Sequence, residues 1–461
     1  MVVGLTACQP VPPSQPLIVS ANPALYPAFQ TGVVDYVNRC VPATPTEVQI
    51  TAPNGTTVSV DGSPPQSGTF TLQVVQDEGK RFTIDVTTGG TTTNHHVRCL
   101  PTDFPSWSVE KTGTPQAEFY ATVMIQGPST PNYSAIFDTN GVPVWWLDRQ
   151  PTFLFTPLPN RDFAIIEAGA GMEEYDLDGN LVRTLNTVGG PVDNHDVILL
   201  PNGNYVMATV QQQPCDLSSW GLVGLQTCVN HVFQELTPLG VVVGAWDASL
   251  NIPVTETTPP WRDNHDTVPP DVYDPWHYNS VEFTGDGFII SFRHLDAVYK
   301  IDSLTLTGSI VWKLGGVLRP ESLTLVDDPL GGVTGQHDAR WLGDGTVTIH
   351  DNGTNALGLG SNRQPRSVRY AVDTGAMTAT LVEEVYDSDV ASSPCCGSTR
   401  RLPGGNWVTG WGGSGQISEY DPDSTRVFRL LAGFVYRGIP LLPGQFTADE
   451  FRAGMDAQYA A

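Results

Sequence analysis

Two His-Asp pairs stand at the same point of a recurring hairpin. His195-Asp196 leads NHDVILLPNGNYVMA, and His337-Asp338 leads QHDARWLGDGTVTIHD. Each pair precedes an apolar run, a Pro/Gly/Asp/Asn turn and a second apolar run. His195 lies eight residues before Gly203 and His337 eight before Gly345, so their positions are equivalent. Between them WHYNSVEFTGDG sets Asn279 at that position and His277 two residues earlier, on the same face of an extended chain. The returning run GFIISFRH brings Arg293 back to the same end, as Asp351 and Asn352 return in the following unit. An imidazole serves as nucleophile or proton carrier near neutral pH, and a guanidinium forks two oxygens of an anion. Three imidazoles and one guanidinium converging in this way point to the binding and transfer of an anionic group.

The remaining candidates read differently. Asp196 and Asp338 neighbour their histidines in an extended chain and so face away, toward backbone or neighbouring units. His265, in TTPPWRDNHDTVPPD, is structural or lines a rim. His231, His294 and His350 read as strand residues without a catalytic role. His95 and His96 fall in a polar Thr/Asn run that reads as a turn. Trp276, Tyr278 and Trp146 could offer stacking surface to an aryl ring or belong to the core.

Elements that would position such a set are legible as well. Gly (46) and Pro (38) are abundant and evenly spread among Val-, Thr- and Asp-rich runs, which argues for many short strands. From about Glu118 two kinds of hairpin alternate, one typified by VILLPNGNYVMATV and the other by EEYDLDGNLVRTLN. Joined in order they make six units of about four strands, the first with a degenerate opening near FYATVMIQG. That periodicity predicts a six-bladed β-propeller over residues 105–432. In a propeller the first strand of each blade lines the central channel, so residues just before it share one mouth. Residues 18–104, with EVQITAP, TTVSVDG, TFTLQVV and RFTIDVTT at period two, predict a small Ig-like or cadherin-like β-sandwich before the propeller. The fold class is therefore all-β. Residues 433–461 read as an irregular tail, apart from a short helix opened by the capping box Thr447–Glu450.

Composition sets further bounds. The net charge of −25 makes a nucleic-acid partner untenable, because phosphate binding needs clustered Lys and Arg. Apolar runs all fall short of a membrane span. Residues 1–17 contain Leu5-Thr6-Ala7-Cys8, which resembles a lipobox ahead of a Pro-rich tether. Almost no apolar stretch precedes it, so the reading places the true start upstream and makes Cys8 a candidate lipid anchor. Of the 7 cysteines the other six pair by position, Cys40 with Cys99, Cys215 with Cys228, and Cys395 with Cys396. Such pairing suits an oxidising, exported location: extracellular, periplasmic or lipid-anchored at the cell surface. The vicinal Cys395-Cys396 pair would be either a strained bridge stiffening the mouth or two free thiols.

The succession NHDVILLPNGN, WHYNSVEF…IISFRHLDAVYKID…GSIVWKLGG and QHDARWLGDGTVTIHDNG resembles the PAPS-independent arylsulfotransferases, aryl-sulfate sulfotransferases with a six-bladed propeller. The likeness runs from about Glu118 to Arg429, and the leading sandwich also has a counterpart there. The resemblance implies ping-pong transfer of a sulfuryl group from a phenolic sulfate donor to a phenolic acceptor, through a sulfohistidine and without a cofactor. It assigns the nucleophile to His337, supporting roles to His195 and His277, sulfate binding to Arg293, and a substrate contact to Asn279. Two other readings stand beside it. Three convergent histidines also make a zinc set with an open position, as in six-bladed amidating lyases. An exported propeller could equally bind an anion without turning it over.

Overall fold

The computed structural model describes residues 16–125, 132–148, 152–167, 170–257, 272–354 and 363–460. Cys8 and His265 lie outside them. The chain divides into two compact units, one reaching Phe104 and including Tyr459, the other running from Pro105 to Gln458.

The first unit is a two-sheet sandwich. Ile18–Asn22, Pro45–Ala52 and Gly68–Val75 form one sheet; Asp35–Asn38, Thr91–Cys99, Arg81–Thr88 and Thr56–Val60 form the other. Period-two alternation puts Val48, Ile50, Val58, Ile84 and Val97 between them. Cys40 and Cys99 are bridged. His95 and His96 lie on the strand Thr91–Cys99, not in the expected turn. The β-branched Thr run pairs with Arg81–Thr88 along its whole length, which overrides its polarity. His95 is a core residue there, with Nδ1 at 2.8 Å from the Val33 carbonyl.

The second unit is the six-bladed propeller, one antiparallel sheet per blade. Blade 2 runs through Thr152–Pro157, Phe163–Glu167, Met172–Tyr175 and Leu181–Leu185; blade 3 through Val192–Leu199, Tyr205–Asp216, Leu225–Leu236 and Val242–Asp247. Blade 4 comprises Tyr278–Phe283, Phe288–Phe292, Ala297–Ile301 and Ile310–Gly315. Blade 5 comprises His337–Trp341, Thr346–Asp351, Arg366–Asp373 and Thr378–Val385, with Thr324–Val326 at its edge. Blade 6 comprises Ser398–Arg401, Trp407–Gly410, Gln416–Tyr420 and Arg426–Leu431. The innermost strands touch in sequence around a ring.

Closure of the ring departs from expectation. Blade 1, built on Phe119–Ile125, Tyr133–Asp138 and Pro143–Asp148, lacks no opening strand. The tail supplies it: Phe434–Val435 and Ile439–Leu441 both pair with Phe119–Ile125. Residues 433–441 are thus part of the propeller and not an irregular tail. Ser108–Lys111 in turn adds an outer strand to blade 6. Two- to four-residue strands carry too little periodicity to be read in a sequence. The capping box forms, with Thr447 N at 2.8 Å from Glu450 Oε2 and Glu450 N at 3.2 Å from Thr447 Oγ1, and it starts the helix Ala448–Gln458. No helix among the described residues is long and apolar enough to cross a membrane.

Candidate active site

His195 and His337 sit where the inner strands of their blades are irregular, and His277 stands just before such a point. The pairing register slips between Val192 and Val197, between Tyr278 and Ser280, and between His337 and Arg340. Asp338 takes a left-handed backbone, φ 57°. Such bulges re-aim side chains, and here they separate each His from its neighbour. The imidazoles gather at one mouth while Asp196 and Asp338 turn into the axis.

Those two carboxylates anchor a buried ionic cluster. Asp196 meets Arg340 and Arg437 at 2.8 Å each and accepts from Val281 N at 3.0 Å. Asp338 meets Arg340 at 2.9 Å, pairs with Arg400 and accepts from Thr399 N at 3.0 Å. Arg437 also donates to the Asn279 carbonyl at 2.7 Å. Blades 3 to 6 and the closing segment are thereby tied together under the site. Burial works against the Asp338 charge, but Arg400, Arg340 and Arg437 outweigh it and hold its carboxyl below the ordinary range.

At the mouth, carboxylates hold two of the imidazoles. His195 Nδ1 lies 2.6 Å from Asp193 Oδ1, and His231 Nε2 lies 3.0 Å from Asp193 Oδ2. His277 Nδ1 lies 2.5 Å from Asp274 Oδ2. The rings of His195 and His277 meet edge to face at 4.8 Å, and His277 stacks on His294 at 4.6 Å. His294 continues the network: its Nδ1 is 2.5 Å from the Asp274 carbonyl and its Nε2 2.8 Å from Arg293 Nη1. Arg293 stands just past the strand Phe288–Phe292, in the short turn Arg293–Leu295. Its Nη2 donates to the Pro394 carbonyl at 3.2 Å.

His337 is buried and differently held. Its Nδ1 faces Asn352 Oδ1 at 2.7 Å and the Gly335 carbonyl at 3.0 Å, so Nδ1 carries the hydrogen and Nε2 the lone pair. Nε2 accepts from the Cys396 amide at 3.1 Å. Burial, then the Arg293 charge, hold the His337 pKa well below the usual imidazole value, so the ring is neutral. Asn352 also donates to the Ser393 and Cys396 carbonyls, at 3.0 and 2.9 Å, and fastens the turn that carries the two cysteines.

The structure thus brings together His195, His277, Arg293 and His337. Other assignments change. Asn279 is fully buried; its amide donates to the Gln336 carbonyl at 2.7 Å and its Oδ1 accepts from Asp338 N at 3.4 Å. Its polar atoms are spent on the strand bearing His337, so it positions that strand and is not placed to contact substrate. Trp276 and Tyr278 belong to the core between blades 3 and 4, not to an aryl surface. Trp276 donates to the Ile252 carbonyl at 3.0 Å, and the Tyr278 hydroxyl to that of Asp196 at 3.2 Å. Trp146 is likewise buried. Cys215 and Cys228 are bridged, whereas Cys395 and Cys396 are free thiols with sulfurs 3.1 Å apart, too far for a bond of about 2 Å.

Sequence reasoning passed over Asp193, Asp274, Phe153 and Tyr436, and it gave His231 and His294 no part in the site; His294 also lies in the turn Arg293–Leu295 and not on a strand. Asp274 stands three residues before His277, a spacing that could have marked it. Phe153 and Tyr436 form an aromatic pair, ring centroids 4.4 Å apart, beside His195 at 6.0 and 6.1 Å. Among the described residues, the group able to hold a metal is Asp274, His277 and His294, not the three predicted histidines. There both His294 nitrogens and one His277 nitrogen are already engaged.

One mouth of the propeller thus carries an arginine, two carboxylate-bound histidines and one neutral histidine. The family model for arylsulfotransferase (ASST) matches residues 169–433, and the chain belongs to that family. Membership supports arylsulfotransferase activity in general, and the family implies phenolic substrates. No curated protein matches the sequence. Among solved structures the chain is similar to a protein of unknown function from Bacteroides caccae, with 11% identity over 70% of this chain and 99% of that one and a TM-score of 0.44. It is also similar to virginiamycin B lyase from Staphylococcus aureus (9%, 70% and 87%, TM-score 0.36) and to a streptogramin B lyase (10%, 70% and 86%, TM-score 0.35). Likenesses at this level say nothing of the reaction.

Proposed function

We propose that the protein transfers a sulfuryl group between phenols by a ping-pong route through a sulfohistidine at His337, without a nucleotide donor. The observation that carries this reading is the state of His337: neutral, with Nδ1–H held by Asn352, the Nε2 lone pair capped only by the Cys396 amide, and the Arg293 charge close by. Sulfuryl transfer, like phosphoryl transfer, passes through a loose state with charge on the peripheral oxygens, so placement and fixed donors supply most of the catalysis. Arg293, its fork steadied by His294 and Pro394, would bind two sulfuryl oxygens. His337 Nε2 attacks sulfur in line, the N–S bond forms and the S–O bond to the phenol breaks. His277 or His195, each bonded to a carboxylate, would give a proton to the departing phenolate and later take one from the acceptor phenol.

The partner of His337 has a consequence for the second half. An asparagine amide accepts a hydrogen bond but not a proton, so the adduct keeps its Nδ1 hydrogen and is a sulfonated imidazolium. Neutral imidazole then leaves easily when the acceptor attacks. Phe153, half-buried beside His195, supplies an aryl face in this scheme. The two bridges support an exported location, and lipid attachment at Cys8 remains part of the proposal.

The test is steady-state kinetics with 4-nitrophenyl sulfate and phenol in EDTA. Nitrophenol release that requires phenol, with parallel double-reciprocal lines, is expected. Intersecting lines, or loss of turnover to EDTA, would contradict it, the latter favouring the zinc reading.

A further inference from the structure

Resting on His337 as the nucleophile, we propose that Cys395 and Cys396 are a thiol–disulfide modification site whose closure uncaps His337. The peptide unit joining the two cysteines is committed at both ends. The Cys395 carbonyl accepts from Gly413 N at 3.1 Å, and the Cys396 amide donates to His337 Nε2 at 3.1 Å. The lone pair under that amide is the one that must face a sulfuryl sulfur, so the amide and the substrate compete for one direction. A disulfide between adjacent cysteines closes an eight-membered ring containing this same peptide unit. Drawing the sulfurs from 3.1 Å to about 2 Å turns the unit and withdraws the amide.

The neighbourhood fits such an exchange. Cys395 is half-buried and Cys396 is buried. The hydrogen bond from Cys396 and the Arg293 charge draw the Cys395 thiol below its ordinary value against the effect of burial, while burial pushes Cys396 up. Cys395 as thiolate therefore attacks first, on a sulfur of a small-molecule or protein disulfide, and expels one thiolate. Cys396 then gives up its proton, bonds to the Cys395 sulfur and expels the second thiol. Two cysteine thiols lose two electrons and two protons, and the external disulfide becomes two thiols. The bridges Cys40–Cys99 and Cys215–Cys228 call for an oxidant of the same class.

The experiment equilibrates the full chain in oxidised or reduced glutathione, maps the bridge by peptide mass, and follows the nitrophenol burst from 4-nitrophenyl sulfate. Oxidised protein is expected to carry the Cys395–Cys396 bridge and to burst roughly 2- to 12-fold faster, the span of one lost hydrogen bond. Cys395→Ser and Cys396→Ser retain the other two bridges, and neither should respond to the glutathione ratio. The ¹⁵N shift of His337 Nε2 reports the cap without turnover. A shift on oxidation with no nitrophenol from either form would uphold the site and fault the sulfuryl-transfer reading instead. Failure to form the bridge, an equal or slower burst from bridged protein, or a response that persists in Cys395→Ser overturns the proposal.

Discussion

Asn352 Oδ1 lies 2.7 Å from Nδ1 of His337 and is the only side chain among the described residues bonded to that nitrogen. An amide in that place fixes the tautomer and favours the protonated ring only weakly; burial and the Arg293 charge outweigh it and keep the ring neutral. Because the folded pKa lies below 6.5, the nucleophile stays deprotonated as pH falls through that value. The acid limb of the first half-reaction should therefore lie well below pH 6.5. Asn352→Asp puts a carboxylate against Nδ1 and favours the protonated ring. The acid limb is expected to rise by about 1–2 pH units, as read from burst rates against pH. An unmoved limb would remove His337 from the titration.

The Asp274–His277 contact of 2.5 Å makes a different prediction. Phenol leaves poorly without a proton, whereas 4-nitrophenolate needs little help. Asp274→Asn is expected to slow transfer from phenyl sulfate by about 10²-fold or more, while the burst from 4-nitrophenyl sulfate changes by less than about 5-fold. Equal losses with both donors would mean that His277 positions the sulfuryl group and does not carry the proton.

Much of this site was legible because the propeller repeats. Eight-residue spacing to the turn glycine placed His195 and His337 at one mouth, and the returning strand brought Arg293 to them. The bulges were not legible: nothing in QHDAR announces that Asp338 adopts a positive φ and drops into an arginine cluster. The resemblance makes Asn279 a substrate contact, and the sequence leaves Trp276 and Tyr278 open between aryl surface and core, yet their polar atoms and rings are taken by backbone and core. Tyr436 and Phe153 are almost 300 residues apart, and only ring closure by the C-terminal strands makes them neighbours. The Cys395-Cys396 pair stands out by its chemistry, but its tie to His337 depends on a backbone amide, which every residue type except proline possesses.

The axial cluster should dominate stability. Arg437 contacts Asp196 at 2.8 Å and the Asn279 carbonyl at 2.7 Å, all buried. Removing one member of such a set leaves an uncompensated charge. Arg437→Met is expected to cost about 3–5 kcal/mol in denaturant unfolding. Arg161→Met, which breaks an exposed pair with Glu450 at 2.7 Å, should change stability by less than about 1 kcal/mol. Comparable losses would show that the cluster is not what binds the blades together.

Asp296 gives a pH signature of its own. Burial lifts its pKa to about 6 from 3.8, against the Gly335 amide and Arg293. A raised carboxyl keeps its proton in the folded state after the unfolded chain has lost it. Its stabilising contribution is whole below about pH 4 and declines as pH rises to about 6, by an amount on the order of 2–3 kcal/mol. Asp296→Asn should flatten that part of the stability–pH curve. A curve of unchanged slope in the variant would assign the dependence elsewhere.

Sulfuryl transfer through His337 is tested most directly by quenching the protein with 4-nitrophenyl sulfate in the absence of acceptor and mapping the adduct by mass. An addition of about 80 Da, one sulfuryl group, is expected on His337, discharged by phenol and missing from His337→Ala along with turnover. Turnover that persists in His337→Ala, or an adduct on another residue, would contradict the account.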